Sequence, residues 1–112
     1  MTKRSAEEWW EEGVQLFNEE KYFECHEAWE EIWKLSSGEE KTFLQGMIQA
    51  AVAILHSKRG NPDGASSLLE KSRVKLDPLP ERYRGIELAE FRTKLGKFFE
   101  GKGEAPRIRK VI

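Results

Sequence analysis

Tyr22-Phe-Glu-Cys-His-Glu-Ala-Trp-Glu-Glu-Ile-Trp33 puts one histidine and several carboxylates among aromatic and aliphatic anchors on what reads as a single helix. At about 100° per residue, Tyr22, Cys25, His26, Trp29, Ile32 and Trp33 share one broad side, with Phe23 and Glu30 at its margin. Glu24, Glu27 and Glu31 point away. The histidine therefore falls inside the apolar arc, one turn from Glu30, which is the geometry of a buried polar pair or of half a metal site. The rest of the chain must supply an apolar partner for this side, and the neighbouring segments repeat the helical period.

Ser5 and Glu8 have the spacing of a capping box, and Trp9, Trp10, Gly13, Leu16 and Phe17 follow at helical intervals. The first helix is expected to end near Asn18, and the second to run to about Leu35, where Ser36, Ser37 and Gly38 stop it. A third, from about Glu39 to Lys58, is apolar almost all round through Phe43, Leu44, Met47, Ile48, Ala51, Ile54 and Leu55, so it belongs at the centre. Gly46, Ala50, Ala53 and Ser57 form a small-residue seam on it, open to close approach by another backbone. Gln45, Gln49, Val52 and His56 run beside that seam. Gly60-Asn-Pro-Asp-Gly64 is a tight helix-to-helix turn with Asn61 as N-cap and Pro62 as first helical residue.

The fourth helix is expected to run to about Lys75 and to be broken by Asp77-Pro-Leu-Pro80. Glu81 to Gly85 reads as a connecting loop holding at most a short helical turn. A fifth helix carries Leu88, Phe91, Leu95 and Phe98 on one stripe and stops at Gly101. Residues 102–112 form an extended tail, frayed or laid across the bundle. The two helical hairpins echo each other at a shift of 40 residues, with tetratricopeptide-like offsets. The expected fold is all-α: two stacked antiparallel helical hairpins plus a closing C-terminal helix, one domain over residues 1–112.

The composition narrows the function classes. The 112 residues carry a formal charge of −1, which offers no general attraction to a polyanion, so nucleic acid is not the expected partner. Arg73, Lys75, Arg82, Arg84 and the stretch from Arg107 to Lys110 are the scattered basic points. Residues 1–40 hold twelve Glu against four Lys or Arg, a balance of −8, and residues 41–112 hold fifteen Lys or Arg against eight Asp or Glu, a balance of +7. The two halves are expected to attract each other within the fold, with self-association as the alternative. One cysteine cannot close an intramolecular disulfide, and Cys25 in the apolar arc behaves as a small hydrophobe. No leader-like apolar run follows the first residues, and the stretch from Met47 to Leu55 is too short to span a bilayer, so a cytoplasmic location without membrane association is expected.

Phe17-Asn18, Tyr22-Phe23-Glu24, His26-Glu27, Glu30, Trp33, Phe43-Leu44-Gln45-Gly46, Ile48-Gln49, Ala51, His56, Gly60-Asn61, Gly64-Ala65 and Leu68-Leu69 together resemble the small bacterial family catalogued as domain of unknown function 309. The resemblance covers roughly residues 9–100. It implies a helical bundle with no established activity.

Three kinds of chemistry suit these residues. His26-Glu27-x-x-Glu30 has a carboxylate where zinc proteases carry their second histidine, so His26, Glu30 and the distant His56 form a candidate set for a divalent metal and a metal-dependent hydrolase. A buried hydrogen-bond network is the second: His26 pairs with Glu30 or Gln49, and the Tyr22 hydroxyl and the Trp29 and Trp33 indoles add donors. In that setting His26→Ala is expected to cost a few kcal/mol, roughly the penalty of an unpaired buried group. A binding site for an unidentified small ligand or partner is the third, built from His26, Glu30, Trp33, Gln45, Gln49, His56 and Tyr22, with outward-facing Glu27 secondary. The expected role is a non-catalytic binding or interaction module with an internal His/Glu/Gln cluster.

Overall fold

The computed structural model describes residues 3–112 and contains α1 (Ala6–Asn18), α2 (Tyr22–Trp33), α3 (Gly38–Lys58), α4 (Pro62–Leu76), the short strands β1 (Arg82–Tyr83) and β2 (Ile86–Glu87), and α5 (Leu88–Phe99). Met1 and Thr2, which begin the stretch read as leaderless, lie outside the described residues. The capping box opens α1: Glu8 N donates to Ser5 Oγ at 3.1 Å and Ser5 N donates to the Glu8 carboxylate at 3.0 Å. Those bonds hold the Glu8 carboxyl below the usual carboxylate range. Helices α1 and α2 then meet at Gly13, where a side chain is impossible: a Cβ there would lie 2.0 Å from Trp29 Nε1. Trp29 has no exposed surface, stacks on Trp10 at 5.2 Å, and donates its indole N–H to the Trp10 carbonyl at 3.3 Å.

Helix α3 is the central element, with ten of its residues from Phe43 to Ile54 buried. Its small-residue seam receives α4 as the sequence suggests. Ser72 Oγ donates to the Gly46 carbonyl at 2.8 Å, and a Cβ on Gly46 would approach Leu76 Cδ2 to 2.8 Å. The turn into α4 is tied by Asn61, whose Oδ1 accepts from Gly64 N at 3.1 Å. Two antiparallel hairpins, α1–α2 and α3–α4, thus pack around one hydrophobic cluster, and α5 closes it with Leu88, Phe91 and Leu95.

The segment after α4 differs from expectation. Residues 81–85 do not form a plain loop or a turn of helix. Arg82–Tyr83 pairs antiparallel with Ile86–Glu87, and the two turn residues Arg84 and Gly85 sit at φ 48° and 76°. Two successive left-handed residues are what a two-residue hairpin requires, because that turn matches the twist of the strands. The C-terminal tail lies across the bundle and not frayed. It bridges to the hairpin at Ile86 and Lys110, Glu87 N donates to the Arg109 carbonyl at 2.8 Å, and Val111 N donates to the Gly85 carbonyl at 2.9 Å. On the other side the Asn18 amide clasps Ile108, accepting its N–H at 2.7 Å and donating to its carbonyl at 2.9 Å. The tail's buried residues, Pro106 and Ile108, are thereby pinned against the bundle.

Charges of the two halves meet across these contacts. Lys58 pairs with Glu20 at 2.8 Å, Lys110 with Glu11, and Arg84 with both Glu40 and Glu7 while its guanidinium lies 5.0 Å from the Trp10 ring. Burial pulls the Arg84 guanidinium below its ordinary range, and the Glu7 carboxylate opposes that shift. No helix among the described residues is long and apolar enough to cross a membrane.

Candidate functional site

His26 and Glu30 are one turn apart on α2, and the structure brings them together: His26 Nε2 lies 2.7 Å from Glu30 Oε1, while Nδ1 donates to the Phe23 carbonyl at 3.2 Å. The ring also leans on Phe23, centroid to centroid 5.5 Å. The pair is not interior. The His26 and Glu30 side chains are 27% and 42% exposed, because they sit on the flank of α2 beyond Trp33 and not on the arc of Tyr22, Cys25, Trp29 and Ile32 that meets the core. A pair this wet contributes little, so His26→Ala is expected to cost less than about 1 kcal/mol and not a few. Urea unfolding of the variant measures the difference, and a loss of about 3 kcal/mol or more, the cost of an uncompensated buried charge, would restore the interior reading.

The remaining candidates separate by their place along the helices. Lys41 Nζ stacks over the Trp33 ring at 4.4 Å, which sets α2 against α3 in register. Seven residues back along α2 lies His26, level with Ile48 on α3. His56 is eight residues further, about 12 Å beyond at 1.5 Å per residue. It belongs instead to the turn, where Asn61 Nδ2 donates to its Nδ1 at 3.3 Å. The proposed trio of His26, Glu30 and His56 is therefore not gathered. Among the described residues no group of three or more His, Cys, Asp or Glu side chains is placed to hold a metal ion. Tyr22 faces the core, 2% exposed and with its hydroxyl unpartnered among the described residues, and burial pushes its phenol up. Burial likewise pushes the Cys25 thiol up, which leaves it a poor nucleophile for His26 to activate. Glu27 is exposed, as its position on the helix predicts.

What is left is a face. Gln45, Gln49, Val52 and His56 line the outer side of α3, bordered on α2 by Phe23, His26, Glu30 and Trp33. On α4 the border is Leu68, Lys71 and Lys75: Lys75 Cβ lies 3.1 Å from where a Cβ on Gly46 would be. Gln49, at the centre, is only 8% exposed, and its Oε1 has no hydrogen-bond partner among the described residues. The expected network of His26, Gln49 and Tyr22 does not form; these groups point in three different directions from two helices. A surface depression elsewhere, lined by Arg4, Trp9, Ile32 and Leu35, is flanked by charges already satisfied, Arg4 by Glu12 and Glu31 by Lys34.

Lys41 and Lys71 are the contributors that sequence reasoning missed, and Lys75 stands there only as one of the scattered basic points. None is in an ion pair among the described residues. Their signal was present in the spacing, since Lys71 and Lys75 flank the same side of α4 as Leu68, but it has no meaning until α4 is known to pack on Gly46.

Residues 10–68, from the buried tryptophan of α1 to the first half of α4, match the family described as Domain of unknown function (DUF309). The chain belongs to this family. The match contains every residue of the α2–α3 face and ends before Lys71 and Lys75. An uncharacterized protein of Aquifex aeolicus (strain VF5) is 31% identical over 101 residues, covering 88% of this chain and 30% of its own length. The uncharacterized protein YpuF of Bacillus subtilis (strain 168) is 42% identical over 67 residues, 59% of this chain and 37% of its own. The chain thus spans about a third of the length of these relatives, and both are bacterial.

Proposed function

We propose that this chain is a non-catalytic binding module of the bacterial cytoplasm and that the outer face of α3, with the His26–Glu30 flank, is its binding surface. The Gln49 carbonyl carries the reading. An acceptor buried without a donor costs about 1–3 kcal/mol, and the fold could remove that cost with an apolar residue of the same length. The face thus keeps a polar amide at its centre where an apolar residue would serve the fold alone. The partly buried Trp33, Val52 and Leu55 on this side supply apolar area, and Gln45, His26 and Lys41 supply directional polar groups. The length of the relatives supports a module: the matched part is 30% of the Aquifex aeolicus protein and 37% of YpuF.

The test is thermodynamic. Gln49→Met keeps the side-chain length and removes the orphan carbonyl, so it is expected to stabilise the free protein by about 1 kcal/mol, in the way that binding residues often trade against stability. Chemical denaturation of both proteins reads the change. A variant destabilised by 1 kcal/mol or more, on the order of a lost native hydrogen bond, would mean that Gln49 holds the bundle together and would end this assignment.

A further inference from the structure

The tail, residues 105–111, meets the bundle as a strand added to the edge of β2. Ile86 and Lys110 face each other across an antiparallel bridge, flanked by the bonds from Glu87 N to the Arg109 carbonyl and from Val111 N to the Gly85 carbonyl. Two residues before Lys110, the Asn18 amide answers both the N–H and the carbonyl of Ile108, at 2.7 and 2.9 Å. All four bonds go to the main chain of the tail, so they suit an extended segment of any sequence. Side chains supply the selection. Pro106 and Ile108 are buried and Arg107 and Arg109 exposed, the alternation of a strand with one face on a core. Each basic residue has an acceptor: Arg107 the Asn18 carbonyl at 3.3 Å, Arg109 the Glu90 carboxylate at 2.8 Å and Lys110 the Glu11 carboxylate. Glu11 and Asn18, seven residues apart, share one face of α1, and Glu90 belongs to α5. The tail thus bridges the seam where these two helices meet at Phe17 and Phe91.

The tail is lightly held. Two of its side chains are fully buried, its ion pairs are partly exposed and each contributes little, and it joins α5 through residues 100–104, all exposed and including Gly101 at φ 73°. A segment with so few buried contacts opens more often than the bundle beneath it. The main-chain bonds and the acidic seam remain when it leaves, and the tail itself shows which chemistry they fit. We propose that the seam of α1, β2 and α5 receives an extended basic segment of another protein, a proline followed by a branched apolar residue with basic residues on both sides of it, and that the tail is the chain's own competitor for this seam. The proposal is independent of the α3 face.

Hydrogen exchange of the full chain reads the opening: the amides of Glu87, Ile108 and Val111 are expected to exchange about 100-fold faster than those of α3, or more. Fluorescence anisotropy with a labelled peptide of residues 104–112 reads the seam. The full-length Ile108→Asp chain keeps every seam residue and loses the anchor of its own tail, so it is expected to bind the peptide about tenfold tighter than wild type does. The peptide carrying the same Ile108→Asp change is expected not to bind, and Glu11→Lys added to the chain is expected to weaken binding. Amides of the tail that exchange as slowly as those of α3 would overturn the proposal. So would an Ile108→Asp chain that keeps its helical circular dichroism spectrum and does not take up the peptide, or one that loses the spectrum, which would make the tail part of the core. A wild type that sediments as a dimer dispersed by the peptide would overturn it too, by making the occupant a second copy of this chain.

Discussion

Gly13→Ala is expected to destabilise the protein by about 3 kcal/mol or more, at the upper end of overpacking costs. Two effects compete at this site and they have opposite sign. In an isolated helix alanine is better than glycine by about 1 kcal/mol, because glycine loses more backbone freedom on folding. Here the new methyl would lie 2.0 Å from Trp29 Nε1, 2.3 Å from Cδ1 and 2.7 Å from Cε2. Trp29 has nowhere to go: it is fully buried, stacked between Trp10 and Phe17, and tethered to the Trp10 carbonyl. Helices α1 and α2 would have to move apart along their whole contact. Thermal unfolding separates the alternatives by sign, a fall in Tm on the order of 10 °C against a small rise. A rise would refute the close approach at Gly13.

Phe17→Ala is expected to cost about 3–5 kcal/mol, the range for truncating a buried aromatic residue. Phe17 is fully buried and is the point where three helices meet, with its ring 5.2 Å from Tyr22, 6.1 Å from Trp29 and 5.5 Å from Phe91. Tyr22 and Trp29 lie on α2 and Phe91 on α5, so the cavity would open between elements that each have another neighbour to keep them in place. Collapse is then incomplete, and the cavity term is added to the lost burial. Phe17→Leu leaves a smaller gap and should cost roughly a third as much. Equilibrium unfolding in urea measures both; a Phe17→Ala protein within about 1 kcal/mol of wild type, the scale of a surface change, would show that α5 does not close on α1 as described.

Much of the fold was legible because it is local. The Ser5–Glu8 capping box, the Asn61–Pro62 start of α4 and the all-round apolar character of α3 each concern residues within a turn of one another, and all three appear where the spacing places them. The hairpin at Arg82–Glu87 was not legible. Two-residue strands are too short for an alternation to show, and the pairing of Ile86 with Lys110 spans more than twenty residues. Tyr83-Arg84-Gly85-Ile86 did hold a weak signal, an apolar residue on each side of a pair ending in glycine.

The candidate site divides along the same line. The sequence by itself determined the His26–Glu30 pair, since residues four apart on a helix must be neighbours, and it determined that Gln45, Gln49 and His56 share a stripe. Only the tertiary structure decided which way those groups face. Burial depends on what packs against a helix, and α2 turns its His26 flank partly to solvent because Trp29 and Cys25 take the core. Distance between helices depends on register, and the Trp33–Lys41 contact sets His56 too far along α3 to join His26. The packing of α4 on Gly46 brings Lys75 to the same side of α3, and an expected interior cluster becomes an outer face with an unanswered carbonyl at its centre.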